Sequence, residues 1–461
     1  MLLNLNRFSP SSFRSESGKL VSLALPMLLA QIASVGVGVV DTVMAGRASK
    51  DDLAAVALGS AVFATVFITF LGIMTALNPM IAQQHGAGEQ GEIGETGRQG
   101  MWFGLGLGAA GMLLMMALIK PLQGYLAGKG YGAYVLDTLG DYLFYVALAM
   151  PAAMVYRALY AYASSLDRPK PLMWTSWAAL LLNVPLNYVF VYGKFGLPAM
   201  GGAGCGLATA LVFWFSAAAL GGHIVRNPYF AAFGLTARFS LPHKAAQRRI
   251  WQLGWPIGLS YFLEASLFTL IVWLIANFGQ DTVSAQQVVI SITSVVYMVP
   301  SAVGAATTVR VGFALGRRQF ARARYIAGVS LALGWALALL TLTALVLFRR
   351  PLASFYTGDA AVIAIAANIL LFAAVFQFFD FTQCIASYAL RGYKITRAPM
   401  VIHGIAFWGL GLLPGYLLAH HAGMGVYGFW AALIASLAAA AVALVWYLEK
   451  CSRWAERHRA L

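Results

Sequence analysis

Apolar residues dominate this chain in long runs, and polar positions gather in short clusters between them. Runs of about 18 residues or more read as spanning helices, because ~20 residues cross the ~30 Å hydrocarbon of a bilayer. They fall near 20–46, 53–78, 99–119, 138–163, 172–193 and 203–225, then near 250–278, 283–309, 325–348, 360–390, 398–419 and 424–448. The expected fold class is an all-α polytopic membrane protein, twelve transmembrane helices in two pseudo-symmetric six-helix bundles. Residues 1–225 form an N-terminal lobe and 250–461 a C-terminal lobe with a short tail. Between them, 226–249 reads as a cytoplasmic linker carrying Asn227-Pro228, Pro242 and the cluster Lys244, Arg248, Arg249. Arg7, Arg14 and Lys19 ahead of the first run imitate a signal peptide, but that run is too long and reads as an uncleaved span.

The two sets of six repeat at an offset near 230. Leu25-Pro26 matches Trp255-Pro256, and Gly86 matches Gly316; further on, Pro171 pairs with Pro399, Pro185 with Pro414, and Met200-Gly201 with Met424-Gly425. Six spans per copy give both copies one orientation, which implies a pseudo-two-fold axis along the membrane normal and suits alternating access between two lobes.

Composition supports the membrane class: 60% of residues are hydrophobic and 10% charged, where soluble chains carry about 25% charged residues. A net charge of +15 would otherwise raise a nucleic-acid partner. Of the 31 Lys and Arg, however, only Arg47, Lys50, Lys120, Lys129, Lys194, Arg349 and Arg350 fall on the outer side when the N-terminus is placed in the cytoplasm, leaving 24 inside. That asymmetry is the positive-inside rule, so no nucleic acid is expected. Both termini are expected in the cytoplasm, and the inner set includes Arg310 to Arg324, Arg391 to Arg397 and Lys450 to Arg459. Cys205, Cys384 and Cys451 are far apart and suggest neither a disulfide framework nor zinc.

Three acids resist the topological explanation: Asp41 in span 1, Glu264 in span 7 and Asp380 in span 10. A carboxylate at mid-bilayer costs ~2.5–3.5 kcal/mol even on insertion scales, so it is expected to face protein or a water-filled cavity. Glu264 lies ~22 Å of helix beyond Arg249 and Asp380 ~16 Å before Arg391, so the two could meet at similar depth. Gln377, Asp380, Gln383, Cys384 and Ser387 share one face of an otherwise apolar helix. Ser260 in span 7 and Gln287, Ser291, Ser294 and Tyr297 in span 8 extend a polar cavity in the C-terminal half; Gln287, Ser291, Gln377 and Gln383 there, and Asp41 in the other half, are the candidates to meet a transported ligand. In the other half, Asn183 and Asn187, one turn apart, could join Asp41. Each acid could exchange protons or, with amide and hydroxyl oxygens, hold a hard cation such as Na⁺.

Enzyme signatures are set aside. Gly106-x-Gly108-x-x-Gly111 lies inside a span with no preceding strand and reads as close helix packing. There is no Walker A motif, no HExxH and no nucleophile or metal cluster at membrane depth, so no catalytic residue and no organic cofactor are expected. His403 stands alone near the start of span 11, where a hydrogen-bonded packing role is expected. A lipid-linked oligosaccharide flippase shares this architecture but calls for a cationic cavity, whereas the intramembrane acids argue for cations.

Several segments resemble one family in order and spacing. These are Val39-Val40-Asp41-Thr42-Val43-Met44-Ala45-Gly46, Phe262-Leu263-Glu264-Ala265, Leu390-Arg391-Gly392-Tyr393, Leu182-Asn183-Val184-Pro185-Leu186-Asn187 and Gly201-Gly202-Ala203-Gly204-Cys205-Gly206. Essentially the whole chain resembles the multidrug and toxic compound extrusion (MATE) family. The resemblance implies an exporter of the bacterial inner membrane that exchanges inward Na⁺ or H⁺ for organic, often cationic, drugs and confers antibiotic resistance. It implies a C-lobe cation site at Glu264 and Asp380, where Na⁺ could bind, with Tyr297 as an aromatic contact. It further implies an N-lobe site at Asp41 with Asn183, Asn187 and Thr209. The expected partners are cationic drugs and dyes, Na⁺ or H⁺ and the bilayer, around a monomer.

Overall fold

The computed structural model describes residues 10–458; Arg7 and Arg459 lie outside the described residues. Long helices follow one another as α1 (Pro10–Ala48), α2 (Lys50–Ala87), α3 (Gln90–Ala127), α4 (Ala133–Ser165), α5 (Lys170–Tyr192), α6 (Gly202–Arg226), α7 (Lys244–Ile275) and α8 (Gln280–Gly316). The series ends with α9 (Phe320–Leu347), α10 (Ala360–Gly392), α11 (Arg397–His420) and α12 (Val426–His458). No strand occurs among the described residues. Each apolar run falls within or nearly within one helix, and most helices outrun it. At 37 residues, α8 is ~55 Å long, well beyond the ~30 Å hydrocarbon. Arg310 and Arg391, expected in connections, are consequently on α8 and α10, and Lys244, Arg248 and Arg249 belong to the start of α7. A helix satisfies its own backbone groups, so it loses little by continuing into the polar zone.

Among the described residues, eleven helices are long and apolar enough to cross a membrane. The remaining one, α5, has the length, at 23 residues, but a lower hydropathy. Its polarity is concentrated in Thr175, Ser176, Asn183 and Asn187, all buried. Its outward face is apolar, with Trp174 and Leu181 exposed, as a lipid-facing surface requires.

The chain divides into two compact units. One comprises Pro26–His85 and Glu89–Gly258; the other comprises Leu259–Leu461, Gly86–Gly88 and the chain up to Leu25. The boundary thus falls inside α1 beside Pro26 and inside α7 just past Pro256, where proline removes a helical hydrogen bond.

The first unit is built on Met74, Leu77, Met150, Met154 and Tyr162. Here α3 meets α4 at backbone distance: a Cβ on Gly104 or Gly108 would sit 2.7 Å from the Met154 carbonyl oxygen or 2.6 Å from that of Met150. Of the Gly106-x-Gly108-x-x-Gly111 string, Gly108 and Gly111 are helix packing, as expected, whereas a Cβ on Gly106 would meet nothing within 4 Å. The stretch after α6 is tied onto α3. Arg98 Nη1 donates to Gly234 O at 2.6 Å, Trp102 Nε1 to Ser240 O at 2.9 Å, and His243 N to Gln99 Oε1 at 2.9 Å.

The second unit packs Phe376, Phe407, Phe429, Trp430 and Leu433 together. At its polar end Glu16, only 2% exposed, receives Arg310 at 2.7 Å and Arg322 at 2.6 Å. Arg324 pairs with Glu449 at 2.6 Å and Glu456 at 2.9 Å, and Arg453 also reaches Glu449.

The internal repeat is present in backbone geometry. Before α6, Met200 N donates to Phe190 O at 3.0 Å and Gly201 N to Val191 O at 3.2 Å; before α12, Met424 N donates to Leu418 O at 3.1 Å and Gly425 N to Ala419 O at 3.2 Å. The glycines take φ of +54° and +56°, a region in which a Cβ is disfavoured. Each half pins the same Met-Gly pair back onto the end of the preceding helix, across connections of different length.

Candidate functional site

In the first unit, Asp41 projects from α1 into α5 and α6 and is 5% exposed. Asn183 and Asn187 share one face of α5, four residues apart, and both donate to Asp41 Oδ1, at 3.1 and 2.7 Å. Asn187 also donates to Asn183 Oδ1 at 3.0 Å, locking the pair. From α6, Thr209 Oγ1 donates to Asp41 Oδ2 at 2.6 Å, and Cys205 Sγ donates to the Asp41 backbone oxygen at 3.5 Å. Both carboxylate oxygens are thus held by donors, the arrangement that lets a buried charge persist. The structure brings together all four residues expected in this half.

The second unit arranges its acids differently. Asp380 on α10 is 3% exposed, and among the described residues its one side-chain hydrogen bond comes from Gln383 Nε2 to Oδ1, at 2.9 Å. Glu264 on α7 is half-buried and receives no hydrogen bond from any described residue; the charged groups acting on it are Asp380 and Arg391. Tyr297 of α8 neighbours Glu264 and Cys384. Of the two carboxylates, only Asp380 receives a side-chain donor among the described residues, which leaves oxygens for a proton or a hard cation. The described residues contain no group of three His, Cys, Asp or Glu fit for a transition metal.

Of the remaining cavity candidates, Gln383 alone is hydrogen-bonded to this pair among the described residues. Gln287 is exposed, and Ser291 and Ser294 bond back to their own helix, at Gln287 O and Ile290 O. Gln377 is buried and donates to Thr293 O at 3.3 Å. Gln383 is buried between Asp380 and His403, whose Nε2 lies 2.9 Å from Gln383 Oε1.

Sequence reasoning missed two neighbours of this site. His403, expected to pack, is joined through Gln383 to Asp380. Arg391, counted with the loop charges, is 4% exposed; its Nη1 donates to Tyr261 Oη at 3.0 Å, and its guanidinium lies 4.1 Å from the Tyr388 ring centroid. A signal for Arg391 existed. It stands eleven residues after Asp380, three turns of helix, and so continues the polar stripe of α10.

The repeat does not duplicate the chemistry. At an offset of 230, Asp41 corresponds to Ile271 and Glu264 to Ser34. One scaffold carries two unlike acid sites.

Comparison with known proteins returns the same repeat. The MatE family model matches twice, over residues 26–189 and 256–417. A probable multidrug resistance protein NorM from Neisseria meningitidis serogroup A / serotype 4A is 64% identical over 462 residues, covering 100% of both chains. A protein of the same name from Chromobacterium violaceum is 45% identical, over 98% of each. Among solved structures, a MATE transporter NorM-NG in complex with rhodamine 6G and a monobody is 60% identical with a TM-score of 0.82, covering 95% of each chain.

Proposed function

The chain belongs to the MATE family of multidrug and toxic compound extrusion transporters, and from that premise we propose that it exports organic cations by antiport against inward Na⁺ or H⁺. It is a multidrug efflux transporter; the relatives' drug-resistance names and the rhodamine-bound structure set the flippase alternative aside.

The observation that carries the coupling mechanism is the Glu264–Asp380 pair, two carboxylates of which only Asp380 receives a side-chain donor among the described residues. Taking up a proton or Na⁺ neutralises the pair, weakens its attraction for a cationic drug and biases the lobes towards the drug-releasing state. Such coupling requires that the ion bind the two states with different affinity. Asp41, with both oxygens already held by donors, serves the drug or coupling cation in the N-terminal lobe. The two lobes 1–225 and 250–461, a monomer in the bacterial inner membrane and cytoplasmic termini complete the reading.

Efflux of ethidium and rhodamine 6G from proteoliposomes, under separately imposed Na⁺ and proton gradients, tests transport and names the ion together. Asp380→Asn and Glu264→Gln each remove a titratable, cation-binding carboxyl and are expected to abolish gradient-driven export while the protein remains folded. Undiminished export in both variants overturns the site.

A further inference from the structure

The hydrogen-bond chain Asp380–Gln383–His403 has a direction set by chemistry. Gln383 gives its amide nitrogen to Asp380 Oδ1, so its oxygen faces His403 Nε2. That oxygen carries no hydrogen; Nε2 must therefore be the donor, and the ring's Nδ1 holds the lone pair. His403 is 5% exposed, and Nδ1 is buried with no partner among the described residues. A histidine selected only for packing would be expected to satisfy both nitrogens.

The backbone around His403 is equally unusual. Ile405–Leu412 is π-helical, a rare winding that is often found at functional sites. It ties α11 to α7, the helix that carries Glu264, and backs the His403 ring. Trp408 Nε1 donates to Leu263 O, next to Glu264, at 3.2 Å, and the ring of Phe407 stacks on His403 at 5.3 Å with an interplanar angle of 10°.

We infer that His403 is a positioning residue of the Asp380 cation site: its Nε2–H holds the Gln383 amide so that a donor, never an acceptor, faces the carboxylate. This rests on the reading of Glu264 and Asp380 as the coupling site. The fixed amide orients Asp380 with its other oxygen towards the incoming cation. Without the histidine donor, Gln383 is free to turn, and its oxygen then accepts from a protonated Asp380. Protons gain and Na⁺ loses. The other charged or titratable groups around the site are Glu264 and Tyr261 on α7, Tyr297 on α8, and Cys384, Tyr388 and Arg391 on α10.

The test measures rhodamine 6G efflux from proteoliposomes against external Na⁺ at fixed pH, and against proton concentration without Na⁺. His403→Leu is expected to raise the half-saturating Na⁺ concentration roughly 3- to 10-fold, the worth of one hydrogen bond, with the maximal rate little changed. For protons, the half-saturating concentration falls by a similar factor. His403→Gln restores a donor where Nε2 stood and returns both values towards wild type. Equal impairment of the Leu and Gln variants, or unshifted half-saturation in the Leu variant while Asp380→Asn is inactive, overturns the inference. Wild-type export by Asp380→Asn and Glu264→Gln instead overturns the coupling site itself. A wild-type-like thermal unfolding transition in detergent confirms that each variant is folded.

Discussion

At the scale of single residues, the two acid sites differ in how many donors each carboxylate holds. Among the described residues Thr209 is the sole donor to Asp41 Oδ2, at 2.6 Å, and a hydrogen bond to a charged group contributes about 1.5–3 kcal/mol. Thr209→Val, which keeps the shape and removes the hydroxyl, is expected to destabilise the first unit by about that amount. Thr209→Ser should recover most of it, read as thermal unfolding in detergent; equal unfolding temperatures for Val and wild type would refute the bond's role. Asp41, Asn183 and Asn187 were legible in the sequence because a carboxylate and two amides spaced by one turn stand out against apolar helices. Arg391 and His403 were not. A charge near a span end has an adequate topological explanation, and a lone histidine an adequate packing one, so neither called for a further role. Glu16 and Asp52 show the same blind spot: both lie near helix starts, and both are buried. Asp52 is fixed there by Gly202 N at 2.7 Å and Ser49 Oγ at 2.6 Å.

At the scale of elements, hydrophobic runs located the helices but not their ends. The run reports the thickness of hydrocarbon, whereas the helix stops where a cap or a positive-φ residue stops it. Ser49 caps α2 through Asp52 N at 2.9 Å, Asp359 caps α10 through Ala361 N at 2.8 Å, and Gly193 closes α5 at φ +64°. The π-helical stretch of α11 left no periodic signal either, because Ile405–Leu412 is apolar on every side. The turns before α6 and α12, in contrast, were marked by the repeated Met-Gly pair, and they invite a comparison. A Cβ at Gly425 meets nothing within 4 Å, so Gly425→Ala is expected to cost only its backbone strain, about 1–3 kcal/mol. At Gly201 the same Cβ would also meet the Asp52 carboxyl carbon and the Tyr134 hydroxyl, both at 3.0 Å. Gly201→Ala should therefore lower the unfolding temperature further than Gly425→Ala does. The reverse order would show that the two turns are not held in the way their hydrogen bonds imply.

For the whole molecule, the charge distribution sets which end of the helices lies in the cytoplasm. The inner-side set, 24 of the 31 Lys and Arg by sequence, includes the partners of Glu16, Glu449 and Glu456, namely Arg310, Arg322, Arg324 and Arg453. These arginines do two things at once: they close ion pairs at one end of the second unit, and they leave that end strongly basic, since three acids there face a larger number of cations. Translocating such an end against the membrane potential is disfavoured, at ~2.3 kcal/mol per charge per 100 mV, so both the start of α1 and the end of α12 should remain inside. Alkaline phosphatase, active only after export, is therefore expected to be inactive when fused after His458 and active when inserted at Lys129–Gly132, between α3 and α4. Green fluorescent protein at the same two positions should give the opposite pattern. An active phosphatase at the C-terminus would invert the protein, place Asp41 towards the cytoplasm and reverse the direction of the proposed exchange, so this inexpensive pair of fusions constrains the transport reading as much as the orientation.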